Sequence, residues 1–191
     1  MSLLVIGLIL FLGIHSVSIV APAWRDAQVA RRGERAWKGM YAVASLVGLL
    51  LLIHGYGLAR QAPVVLYTPP TGLRHLALLL MLPVFPLLFA AYLPGRLQRA
   101  ARHPMLLAVK FWATAHLLAN GNLADLLLFG AFLAWAVADR ISVKRRPVPR
   151  SVPGAPPGPL NDIVAVVGGL GLYLAFLFGV HAWLIGVPVL G

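Results

Sequence analysis

The sequence predicts an all-α integral membrane protein with six transmembrane helices and both termini on the outer, periplasmic side. Three observations lead there. Of the 191 residues, 60% are hydrophobic and only 11% charged, with a mean hydropathy of +0.87. Soluble domains carry about 25% charged residues. The apolar residues fall into six runs, each near the roughly 20 residues a helix needs to cross a bilayer. The cations collect in alternate breaks between those runs. So much Leu and Val with so few charges also excludes a disordered chain. A net charge of +11 on a soluble protein would suggest nucleic acid, but here it encodes topology, and no nucleic-acid partner is expected. The chain has no cysteine, which excludes disulfides, thiolate metal sites and cysteine nucleophiles.

The first run, Ser2 to about Ala21, is closed by Pro22. Ala21-Pro22-Ala23 resembles a signal cleavage site. The run lacks a basic leader, however, and is longer than a signal's apolar stretch, so it reads as a span. The second run is about Gly39–Leu58. The third, about His75–Leu93, contains Pro83 and Pro86; each removes a backbone donor, so a kink is expected. The fourth and fifth, about Pro104–Ala119 and Leu123–Arg140, form a helical hairpin across Asn120-Gly121-Asn122. In the sixth, about Ile163–Val187, Gly171, Ala175 and Gly179 repeat every four residues. That small-residue row lets another helix approach closely, within the chain or in a homo-oligomer. Residues 147–160, with Pro147, Pro149, Pro153, Pro156, Pro157 and Pro159, read as an extended, poorly ordered cytoplasmic linker. No soluble domain is evident, so residues 1–191 form one membrane domain.

Orientation follows from Lys and Arg. The first connection holds Arg25, Arg31, Arg32, Arg35 and Lys38. The third, with the start of the fourth span, holds Arg96, Arg99, Arg102 and Lys110. The fifth holds Arg140, Lys144, Arg145, Arg146 and Arg150. The second holds only Arg60 and Arg74, and the fourth none. This alternation places the odd connections in the cytoplasm. Trp24, Trp37, Tyr41, Tyr92 and Trp135 fall near the inner interface, and Tyr56, Tyr67 and Trp183 near the outer one, where aromatic rings gather.

Ionisable groups at membrane depth are functional candidates, because burying them is expensive. Counting about 1.5 Å per residue, His15 lies roughly 15 Å above the Trp24-Arg25 boundary, and His116 roughly 21 Å above Arg102. Both levels are near the bilayer middle. Two neutral imidazoles on separate helices at similar depth can supply two axial ligands to a heme iron, although a lone helix histidine more often bonds a neighbouring carbonyl or hydroxyl. His54 and His181 lie further out and are weaker candidates. His75 and His103 sit at the two surfaces. Ala108, Trp112, His116 and Asn120 share a stripe at i, i+4 spacing, which suits a porphyrin or polyene face as well as ordinary packing. Leu8, Phe11, His15 and Ser18 form a comparable stripe. Asp125 is the one acid near membrane depth. No paired carboxylates, phosphate loop or Ser-His-Asp set is found, so hydrolase chemistry has no support.

Ile14-His15-Ser16, then Arg25, then Gly33-Glu34-Arg35-Ala36-Trp37 resembles the first block of the NnrU family. Arg102-His103-Pro104-Met105, Lys110-Phe111-Trp112 and Ala115-His116-Leu117-Leu118-Ala119-Asn120-Gly121 resemble its second, and Trp135-Ala136-Val137-Ala138-Asp139-Arg140 extends it. The resemblance implies a multi-pass protein of the bacterial inner (cytoplasmic) membrane, surrounded by membrane lipids, with a role in nitrite or nitric oxide metabolism. The family is also similar to 15-cis-zeta-carotene isomerase, a heme b protein whose two proposed axial histidines match His15 and His116. That implies heme b at those residues, with Trp112 and Asn120 beside the cofactor, and isomerase-type chemistry on a lipophilic polyene. Arg60, Arg74 and His75 are candidate partners for the propionates. Ala113 stands where the isomerase motif has a cysteine. Two alternatives are an accessory or maturation protein for a denitrification reductase, and a membrane methyltransferase. The latter's Arg-His-Pro opening matches Arg102-His103-Pro104, but Leu106 and Ser142-Val143-Lys144 replace its later residues.

Overall fold

The computed structural model describes residues 1–146 and 154–190. Residues 147–153, which open the Pro-rich linker and include Arg150, lie outside the described residues. Among the described residues the chain is helical, with no strand beyond one isolated bridge. Five helical segments are long and apolar enough to cross a membrane: Ser2–Val20, Glu34–Gln61, Thr71–Ala90, Leu123–Arg145 and Asn161–Ile185. Pro104–Ala119 is apolar but shorter. The described residues group into two compact units, 1–69 with 120–146 and 70–119 with 154–190.

The first unit contains α1 (Ser2–Val20), α2 (Pro22–Arg32), α3 (Glu34–Gln61) and the helix α8 (Leu123–Arg145). Its main contact is α1 against α3. Glycines let the two backbones touch. Gly7 faces the backbone of Leu52, Gly55 faces that of Leu4, and a Cβ on Gly48 would lie 2.7 Å from the Phe11 nitrogen. Leu4, Leu8, Leu52 and Ala59 are buried along the same seam. With little apolar surface to hide from lipid, this close van der Waals fit and lipid release drive helix association. α8 packs on α1, with Phe132 against Phe11 at 5.7 Å between ring centres.

Two polar clasps close this unit. Asp125 is only 3% exposed; it accepts hydrogen bonds from Tyr56 Oη at 2.5 Å and Asn122 Nδ2 at 2.9 Å, tying α8 to α3. Near the other end of α8, Arg146 donates to Asp139 at 3.0 Å and to the Ser18 carbonyl at 3.3 Å, tying α8 to α1. The connection after α3 runs extended: Val65 bridges Asn122, and Leu66 N–H donates to the Gly121 carbonyl at 2.8 Å.

The second unit contains α4 (Thr71–Met81), α5 (Val84–Ala90), α6 (Arg96–Ala101), α7 (Pro104–Ala119), α9 (Asn161–Ala175), a π turn at Phe176–Val180 and α10 (His181–Ile185). The expected kink is present as the break between α4 and α5 at Leu82-Pro83. Pro86, which has no N–H to leave unsatisfied, packs on the bare backbone of Gly169. Val84, Leu87 and Ala108 form a buried cluster flanked by Leu97, Phe111 and Trp112. The Asp162 carboxylate accepts the Arg96 and Leu97 N–H groups at 2.8 and 2.9 Å, so an acid from α9 caps α6. The described end of the linker carries hydrogen bonds: Ala155 N–H donates to the Tyr92 carbonyl at 2.8 Å, and Asn161 Nδ2 to the Pro156 carbonyl at 3.1 Å.

Glycine substitutions separate the seam from the rest of α3. Gly48→Ala must push Phe11 away and should destabilise the protein by about 1–3 kcal/mol. Gly57→Ala, with nothing within 4 Å, should stabilise it by up to about 1 kcal/mol through helix propensity. Equilibrium unfolding of each variant in mixed micelles checks the opposite signs.

Candidate functional site

His15 stands on α1 in the first unit, on the side that carries Leu4, Leu8, Phe11 and Ser18. The spacing of 3 or 4 residues keeps these on one stripe. Its ring is half-buried among aromatics from three helices. Phe11 of α1 lies at 4.3 Å between ring centres, Tyr41 of α3 at 5.2 Å, and Trp135 of α8 edge-on at 5.9 Å. Nδ1 is 2.6 Å from the Phe11 carbonyl. A carbonyl only accepts, so Nδ1 carries the proton and the lone pair resides on Nε2.

His116 stands on α7 in the second unit. Its Nδ1 is 2.8 Å from the Trp112 carbonyl, and the two rings lie 5.4 Å apart. The same reasoning makes Nε2 the lone-pair nitrogen. Trp112 therefore supplies both a ring beside the imidazole and the carbonyl that orients it. Asn120 follows the end of α7 and groups with the first unit, where its carbonyl accepts the Tyr67 hydroxyl at 2.9 Å. Of the four residues expected to bind a cofactor, the fold thus joins Trp112 to His116 on one helix. His15 and Asn120 belong to the first unit.

The remaining histidines fall elsewhere. His54 and His75 are exposed. His181 Nδ1 is 2.7 Å from the Val187 carbonyl, beyond the last helix. His103 follows a tight turn: Arg102 holds φ at +60°, and the His103 N–H reaches the Ala101 carbonyl at 2.6 Å. This is a γ-turn, a rare and strained conformation, placed directly before the proline that starts α7. Arg60 lies over the Tyr56 ring at 5.8 Å.

Two aromatics that hydropathy places only at the inner interface lie near His15. Tyr41 and Trp135 are both neighbours of the imidazole. The indole nitrogen of Trp135 is buried with no hydrogen-bond partner among the described residues, an arrangement that leaves a donor for a bound group. One turn along α8, Asp139 forms the clasp with Arg146. The stripe Trp135 and Asp139 at i, i+4 was the available signal.

Among the described residues no cluster of three or more His, Asp or Glu gathers to hold a metal. A heme needs only one or two imidazoles, and histidine ligands characteristically donate their other ring N–H to a carbonyl, as His15 and His116 do.

Comparison with family models matches the NnrU protein family over residues 3–189. No curated protein and no solved structure matches the chain.

The clasp below His15 gives a direct prediction. Asp139→Ala leaves the Arg146 guanidinium without its carboxylate, in a place where both side chains are less than one-fifth exposed. Stability should fall by about 1–3 kcal/mol, less than for a fully buried pair. Arg146→Ala should cost a similar amount, and the double variant little more than either, as a double-mutant cycle by chemical unfolding will read.

Proposed function

Because the chain belongs to the NnrU family, we propose that it is a six-span protein of the bacterial inner membrane that binds heme b through His15 and His116. The observation that supports this reading is the hydrogen bond that each ring makes within its own helix. Each gives its Nδ1 proton to the carbonyl four residues earlier and so directs its lone pair to Nε2. The resemblance to 15-cis-zeta-carotene isomerase supports the same pair.

In this reading Pro104–Ala119 is the sixth span. Its 16 residues cover about 24 Å at 1.5 Å per residue, short of the roughly 30 Å hydrocarbon core. Local thinning of the bilayer accommodates such a deficit. The alternating cation count supports termini on the periplasmic side.

The roles of the protein's own residues follow from their surroundings. Phe11, Tyr41 and Trp135 hold the His15 ring in one orientation and exclude water from it. Trp112 does the same for His116 and offers a flat face to the porphyrin. The Trp135 N–H donates to an acceptor on the bound group. Heme, when bound, would supply a redox-active iron suited to chemistry on a lipophilic double bond or nitric oxide. Isomerisation of a lipophilic polyene and a role in nitrite or nitric oxide metabolism are the two chemistries consistent with that iron.

A second reading is an accessory subunit for a denitrification reductase. Gly171 and Gly179 favour it, since nothing lies within 4 Å of the position a Cβ would take on either. Another helix could approach there closely.

Protein expressed with ample heme and purified in detergent should show a Soret band. His15→Ala and His116→Ala should each lower heme affinity by more than roughly 10-fold, a loss that even outer-shell changes produce. His54→Ala should leave it unchanged. A colourless wild-type protein, or full retention of heme in both ligand variants, overturns the reading.

A further inference from the structure

The connection between α1 and α3 is itself a helix, α2, which has no buried residue. Its place follows from its neighbours. Two apolar candidate spans, packed along the glycine seam, end at Val20 and begin at Glu34. The residues between them lie where the paired spans leave the bilayer. At 11 residues α2 is about 17 Å long, too short and too polar to cross. Pro22 starts it and Gly33, with φ +82°, turns the chain into α3.

α2 is two-sided. Ala23, Trp24, Ala27 and Ala30 are exposed, Trp24 by 53%. The Trp24 ring meets the buried Trp37 edge-on at 5.9 Å, which holds it at the base of α3. Such a ring prefers the headgroup level of a bilayer. The stretch carries two acids, and both have a cation beside them: Asp26 pairs with Arg25 at 2.8 Å and Glu34 with Lys38 at 2.9 Å. Arg31, Arg32 and Arg35 are exposed and have no acidic partner among the described residues.

We propose that α2 and the first turn of α3 form an interfacial segment that binds anionic phospholipid headgroups through Arg31, Arg32 and Arg35, with Trp24 and the exposed alanines of α2 sunk among the upper acyl chains. A guanidinium matches a phosphate with two parallel hydrogen bonds. An acidic soluble protein would be served by the cations alone. Exposed apolar residues on the same short helix, at a bilayer boundary, fit a lipid surface.

The test uses the full chain in zwitterionic mixed micelles and follows energy transfer from tryptophan to dansyl-phosphatidylglycerol or dansyl-phosphatidylcholine. The wild type should prefer the anionic lipid, and added salt should reduce that preference. Each Arg→Gln change at 31, 32 and 35 should weaken it by roughly 5-fold. The triple lysine variant, which keeps the charge, should retain most of it and so controls for folding. Equal affinity of the wild type for both lipids overturns the proposal. So does a triple glutamine variant that binds like the wild type.

Discussion

The backbone contact between α1 and α3 is the constraint on which the first unit depends. Gly7, Gly48 and Gly55 leave no side chain between the helices, so α1 and α3 meet as close surfaces with one register. That register puts His15 beside Tyr41. A larger residue at any of the three glycines separates the helices and dissolves the aromatic enclosure around the imidazole. α8 then completes the enclosure with Trp135, and the Asp139–Arg146 clasp fixes its end against Ser18. Packing and site are the same set of contacts.

Much of this was legible in the sequence, for identifiable reasons. Long apolar runs have one physical explanation, so α1, α3, α8 and the last helix lie where hydropathy put them. Pro83 marked the break between α4 and α5, because a missing N–H and a fixed φ interrupt any helix. The short helices α2 and α6 were not seen. Both lie in stretches dominated by arginine, where charge hides a helical period. The glycine seam was also missed, although its signal is present. Tyr41, Ser45, Gly48, Leu52, Gly55 and Ala59 alternate at spacings of 4 and 3, the period of a helix–helix stripe.

The candidate site was legible in part. Depth singles out His15 and His116 in the sequence, and helical spacing puts Trp112 on the His116 stripe, where the structure adds the hydrogen bond to the Trp112 carbonyl. Trp135 and Asp139 come from a helix far along the chain, and no local pattern connects them to His15. The clasp between Asp125 and Tyr56 likewise joins residues 69 apart. Sequence periodicity reports one helix at a time, whereas these contacts depend on which helices become neighbours.

The central claim is that the α1–α3 seam holds His15 with its Nδ1 proton on the Phe11 carbonyl, leaving the lone pair on Nε2 for a ligand. Nitrogen NMR of ring-labelled histidine in heme-free protein reads the tautomer directly, with the His15 signals assigned by their loss in His15→Ala. A protonated Nδ1 and an unprotonated Nε2 are expected. A His15 ring protonated on Nε2 alone would contradict the claim.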